Sequence, residues 1–244
     1  MANGLTMASK VMSGFKSMGS LSKERCAVGA LLQHCSRGAV VVLQEIFGVN
    51  AHIRDVTERW AKEGYLAIAP ALFTRVQPDV ELGYTSDDMA QGMALKAAAD
   101  ALPGAGVQTD IRAAIDYALG RGVGAVGIVG FCWGGVLTWR AACAQPGLSA
   151  AVCYYGGGMT EPEEIARQPL CPTLAHFGQR DAYIPEATVQ QFAAAQPQVA
   201  VHLYEADHGF HCDQRGSYDA AAAATANERT LAFFAQHLGA GAAA

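Results

Sequence analysis

The sequence lacks a basic surplus. Its 244 residues carry 17 Lys and Arg against 22 Asp and Glu, a net charge of −5, and no Lys/Arg run forms the footprint that a phosphate backbone needs. Nucleic acid is therefore not expected as a partner. A C-x-x-C pair is also missing. The seven cysteines, an odd number, are scattered, which argues against a disulfide framework or zinc ribbon and suits reduced thiols in a cytoplasmic protein. The first 21 residues are rich in Ser, Gly and Met, but Lys10 and Lys16 interrupt them, so no secretory signal is expected. The uncharged stretch 122–139 is long enough to raise the question of a membrane span. Its six glycines and strand-turn-helix rhythm point to a buried strand and elbow instead, so no membrane partner is expected.

The chain is 51% hydrophobic and 16% charged, enough to bury one sizeable core. We expect a poorly ordered segment 1–25, then a single α/β domain over 26–244. An edge strand is expected at 26–32. Ala39-Val40-Val41-Val42-Leu43 is an unbroken run suited to a central parallel strand. Asn50 caps a helix to Glu63, with Ile53, Val56 and Trp60 at helical spacing and Gly64 as the stop. A strand over 65–72 and a long loop over 73–85 follow. Helices are then expected at 87–102 and 108–119, a strand at 125–129 and a helix through Ala144. The alternation continues with strands at 150–155, 172–177 and 199–204 and helices at 185–195 and 218–237. A mostly parallel sheet with helices on both faces is the fold this rhythm predicts.

Within it, Gly130-Phe131-Cys132-Trp133-Gly134 fits the strand–nucleophile–helix turn G-x-S-x-G with cysteine in the serine position. A buried structural cysteine would satisfy the same five residues, since free cysteine packs like a small hydrophobe. Chain order favours chemistry. Asp181 follows one later strand and His208 the next, which is the nucleophile–acid–histidine order of the α/β-hydrolase fold.

These motifs, with Gln44-Glu45-Ile46-Phe47-Gly48-Val49-Asn50, Gly178-Gln179-Arg180-Asp181 and Asp207-His208-Gly209-Phe210, resemble the dienelactone hydrolases (carboxymethylenebutenolidases) over about 38–238. The resemblance implies an α/β-hydrolase fold and a hydrolase of carboxylic esters or lactones. Cys132 would be the nucleophile, His208 the base, Asp181 its orienting acid, and the N–H groups of Ile46 and Trp133 the oxyanion hole. It also implies that Glu45 hydrogen-bonds the resting thiol and keeps it protonated until substrate arrives.

Arg75, Tyr84, Tyr154, Tyr155 and Phe210 are candidates for substrate contact. The arginines with which the family holds a lactone carboxylate are not evident. Arg75 comes too early in its loop, and Arg215 lies well past His208. A neutral, activated ester or lactone is therefore expected, with a neutral phosphotriester as an alternative electrophile and a non-catalytic ligand-binding module as the reading from another class. His208, His211, Cys212 and Asp213 are metal-ligating types close together, but no second ligand group is evident, so neither metal nor cofactor is expected. Monomer and dimer stay equally open.

Overall fold

The computed structural model describes residues 37–239. The expected strand at 26–32, the segment 1–25, Cys26 and Cys35 lie outside them. Among the described residues, six strands form one parallel sheet: β1 (Ala39–Leu43), β2 (Leu66–Ile68), β3 (Val126–Phe131), β4 (Ala150–Tyr154), β5 (Thr173–Gly178) and β6 (Val199–Tyr204), in the order β2-β1-β3-β4-β5-β6. β1 and β3 through β5 are buried on both faces, which is why they read as continuous apolar runs.

Seven helices complete the described residues: α1 (Ala51–Lys62), α2 (Ser86–Asp100), α3 (Gln108–Leu119), α4 (Trp133–Ala144), α5 (Pro162–Ile165), α6 (Glu186–Ala195) and α7 (Ala220–Leu238). Alternate residues of β3 address opposite layers. A side chain at Gly127 would strike Phe234 and Leu238 of α7, whereas one at Gly130 would strike Gly134 and Thr138 of α4. The Trp60 and Phe234 rings, 5.1 Å apart, join α1 to α7 in the first layer. Among the described residues, no helix is long and apolar enough to cross a membrane.

Most expected elements form within a residue or two of their predicted ends. Two differ. The strand expected over 65–72 stops at Ile68, because Pro70 lacks the N–H that would continue the ladder and turns carry the chain to Leu72. The four-residue α5, begun by Pro162, is too short to leave a periodic signal.

The order reverses direction at β1, which is flanked by β2 on one side and β3 on the other. Ligands of open α/β sheets bind outside the carboxyl ends of the strands at such a switch point. Glu45 follows β1 and Cys132 follows β3, so the fold brings the glutamate segment and the cysteine turn together there.

Candidate active site

Cys132 occupies a backbone conformation that L-residues rarely adopt, φ 55° and ψ −116°, between the last residue of β3 and the first of α4. The surrounding glycines permit it. A Cβ on Gly130 would lie 2.1 Å from the Gly134 carbonyl oxygen, and one on Gly134 would lie 2.5 Å from that of Gln44. The Cys132 N–H donates to the Tyr154 carbonyl at 3.0 Å, tying the turn to β4. The thiol-bearing residue is partly exposed, whereas the other described cysteines, Cys143 excepted, are buried.

His208 and Asp181 lie on the loops after β6 and β5 and meet. Nδ1 of His208 is 2.7 Å from Oδ2 of Asp181, and Asp181 Oδ1 accepts the N–H groups of Tyr183 at 2.8 Å and Ile184 at 3.2 Å. The carboxylate is therefore held from both sides. Burial works against a charged His208 ring, but the Cys132 sulfur and the Asp181 carboxylate outweigh it and push the imidazole up to about 10. The rings of Tyr155 and Tyr183 stand edge-on to His208 at 5.1 and 5.3 Å. Tyr183 is 73% exposed and unsignalled by any motif in the sequence, and it marks the solvent side of the histidine.

Glu45 is fully buried. Its Oε1 accepts Nη1 of Arg215 at 3.1 Å and its Oε2 accepts the Tyr84 hydroxyl at 3.3 Å. No hydrogen bond between Glu45 and the Cys132 thiol forms among the described residues; the carboxylate instead holds a guanidinium and a phenol, the former through the stronger, charge-assisted bond. Arg215, well past His208 in the sequence, is brought to this site by the intervening chain. Residues 209–218 fold into successive turns, with Cys212 N–H on Gly209 O, Arg215 N–H on Cys212 O and Tyr218 N–H on Arg215 O. They bring Arg215 back across Gly209, whose φ is 81° and where a Cβ would lie 2.5 Å from Nη1.

The segment after β1 is pinned by the loop over 73–85. Gly48 bridges Glu81, Leu82 N–H donates to Phe47 O at 2.9 Å, and Asn50 Nδ2 donates to Leu82 O at 3.0 Å and to the Tyr84 hydroxyl at 3.1 Å. Gly92 of α2 presses on the same segment, since a Cβ there would lie 2.6 Å from Ile46 O. A glycine inside a helix gives no sequence sign of such a contact.

The candidate contact residues separate. Tyr84 belongs to the site through Glu45. Tyr155, at φ 36°, is buried with its hydroxyl unpartnered among the described residues, and burial first, then the nearby Glu45, pushes its ionisation far up. Tyr154 turns its hydroxyl to Thr230 of α7 at 2.7 Å, and Phe210 packs against Tyr155 and Tyr204 at ring distances of 5.3 and 5.2 Å. These two are core residues beside the site. Arg75 pairs with Asp110 of α3 at 2.9 Å, with both side chains about one-third exposed.

A strained cysteine turn after β3 at the switch point, with a His–Asp pair on the loops after β5 and β6, sits on a fold of the α/β-hydrolase class. Comparison with known proteins places it further. The dienelactone hydrolase family model matches residues 29–238. A Synechocystis protein provisionally named carboxymethylenebutenolidase is 41% identical over 215 residues, 82% of this chain and 86% of that one. The carboxymethylenebutenolidase of Pseudomonas putida is 37% identical over 203 residues, 80% of this chain and 84% of that one. The crystal structure of a Klebsiella pneumoniae protein provisionally named dienelactone hydrolase superposes with a TM-score of 0.69 at 36% identity, covering 82% of this chain and 88% of that one. The chain belongs to the dienelactone hydrolase family.

Proposed function

We propose that the protein hydrolyses neutral, activated esters or lactones by acyl transfer to Cys132. The observation that carries this reading is the 2.7 Å contact of Asp181 with His208, on a histidine whose proton affinity is raised by the Cys132 sulfur. Asp181 fixes the ring so that Nε2 is free for the reaction. His208 takes the thiol proton, and the thiolate adds to the carbonyl carbon. The bond to the leaving oxygen breaks as that oxygen takes the proton from His208. Water, activated by the same imidazole, then cleaves the thioester and returns the thiol.

The N–H groups of Ile46 and Trp133 suit the role of oxyanion donors. Trp133 begins α4, so its N–H has no acceptor within the helix, and that of Ile46 meets no backbone carbonyl among the described residues. Loss of one such donor costs on the order of 10²- to 10³-fold in kcat.

A neutral substrate suits the charge balance. Arg215 is already paired with Glu45 at 3.1 Å. A substrate carboxylate could take the guanidinium only by leaving Glu45 buried without its counterion. All five described cysteines are free, which suits a reducing, cytoplasmic setting.

The test is kcat/KM for a lactone carboxylate against its neutral methyl ester, with Cys132→Ala protein as the blank. The reading expects the neutral compound to be preferred. A tenfold or greater preference for the anion would overturn the substrate assignment, and near-native turnover by the blank would overturn the nucleophile.

A further inference from the structure

The fold assembles a second group of ligand-type side chains beside the hydrolytic residues. Glu45, His52 and Cys212 each offer one donor atom, a carboxylate oxygen, an imidazole nitrogen and a sulfur, and the three atoms lie within 4.8 Å of one another. All three residues are buried. They come from the end of β1, the first turn of α1 and the loop after His208, which is why no local motif announces them.

His52 is the independent sign that this is more than polar crowding. It is fully buried on the apolar face of α1, yet neither ring nitrogen has a hydrogen-bond partner among the described residues. Its Nδ1 faces Asp213 Oδ1 at 3.7 Å, an arrangement that resembles the outer carboxylate which orients a metal-bound histidine. A buried histidine retained without a bond is costly, and a ligand would satisfy it.

We propose that Glu45, His52 and Cys212 form a three-ligand site for a thiophilic divalent transition ion of the Zn²⁺ or Co²⁺ class. A sulfur, a nitrogen and one carboxylate oxygen select such ions over Mg²⁺ or Ca²⁺, which favour oxygen donors. Three protein donors leave a fourth, open position in a tetrahedral shell. Cys212 donates its thiol hydrogen to the Tyr84 hydroxyl at 3.2 Å. On binding, the sulfur–hydrogen bond breaks, a sulfur–metal bond forms, and one proton is released to solvent for each ion. Glu45 can keep Arg215 on Oε1 while its other oxygen exchanges Tyr84 for the metal. The site is independent of the substrate reading, because its signature is spectroscopic.

The experiment is titration of metal-stripped protein with Co²⁺, following the thiolate-to-cobalt charge-transfer band in the near ultraviolet. The band is expected in the wild type and in Cys132→Ser and is expected to vanish in Cys212→Ser. Asp213→Asn alters a half-exposed side chain and so avoids disturbing the core; it should weaken Co²⁺ binding by about 10- to 100-fold, the usual effect of removing an outer carboxylate. No band in the wild type, a band that follows Cys132 rather than Cys212, or unchanged affinity in Asp213→Asn would each overturn the proposal.

Discussion

Glu45 and Arg215 stand 170 positions apart in the chain and form an ion pair at 3.1 Å, with side chains 1% and 12% exposed. Removing one member of a buried pair strands the other, so Arg215→Gln should destabilise the protein by about 3 kcal/mol. In urea unfolding, the double variant Glu45→Gln/Arg215→Gln should lose less than the two single variants summed. Additive losses would mean that the pair is not coupled.

Asp181→Asn keeps the size of the side chain but replaces the oxygen that accepts from His208 with an amide that can donate. The ring would then favour the wrong tautomer, and kcat should fall by on the order of 10²- to 10⁴-fold with KM little changed. Steady-state kinetics on an activated ester decide this. A loss confined to KM would remove Asp181 from the mechanism.

Gly92→Ala should go against the usual trend. Replacing a glycine inside a helix normally gains about 0.5–1 kcal/mol, but here the added carbon meets Ile46 O at 2.6 Å. We expect lower thermal stability, and a kcat reduced by up to about 10²-fold as the segment carrying the Ile46 N–H shifts. A stabilised variant with native kcat would show that the segment gives way freely.

Stability should fall on acidification. Burial first, then His52 and Arg59, lower the proton affinity of His211 to about 3 against about 6.5 in the unfolded chain. Between these values the unfolded state binds the extra proton, so stability rises with pH across that window and is lost as pH falls through it. His176 is lowered in the same direction by burial. Denaturant midpoints from pH 7 down to 4 should therefore decline, and less steeply in His211→Phe, which keeps the contacts with Phe131 and Tyr154 but cannot be protonated. Equal slopes in the two proteins would count against His211.

The sheet and the three triad candidates are legible in the sequence because their signals are local. Each strand is a short apolar run, the Cys132 turn needs glycines at fixed offsets, and Asp181 and His208 sit just after strands. The rest depends on contacts that no local pattern encodes. Arg215 reaches Glu45 only because the chain after His208 winds back through turns, so spacing along the sequence does not reveal the pair. His52 reads as an ordinary residue of the first helical turn, and only the folded chain sets it beside Cys212. Pro70 was there to shorten β2, but the apolar run around it spoke for a longer strand.

The central claim is that Cys132 carries the acyl group. Rapid acid quench of the protein during turnover of an activated ester, followed by intact-mass and peptide mass spectrometry, tests it most directly. The account predicts a mass increase of one acyl group per chain, located on the peptide containing Cys132 and absent from Cys132→Ala. Turnover by the alanine variant at a rate near the wild type, or an acyl group on any other residue, would contradict it.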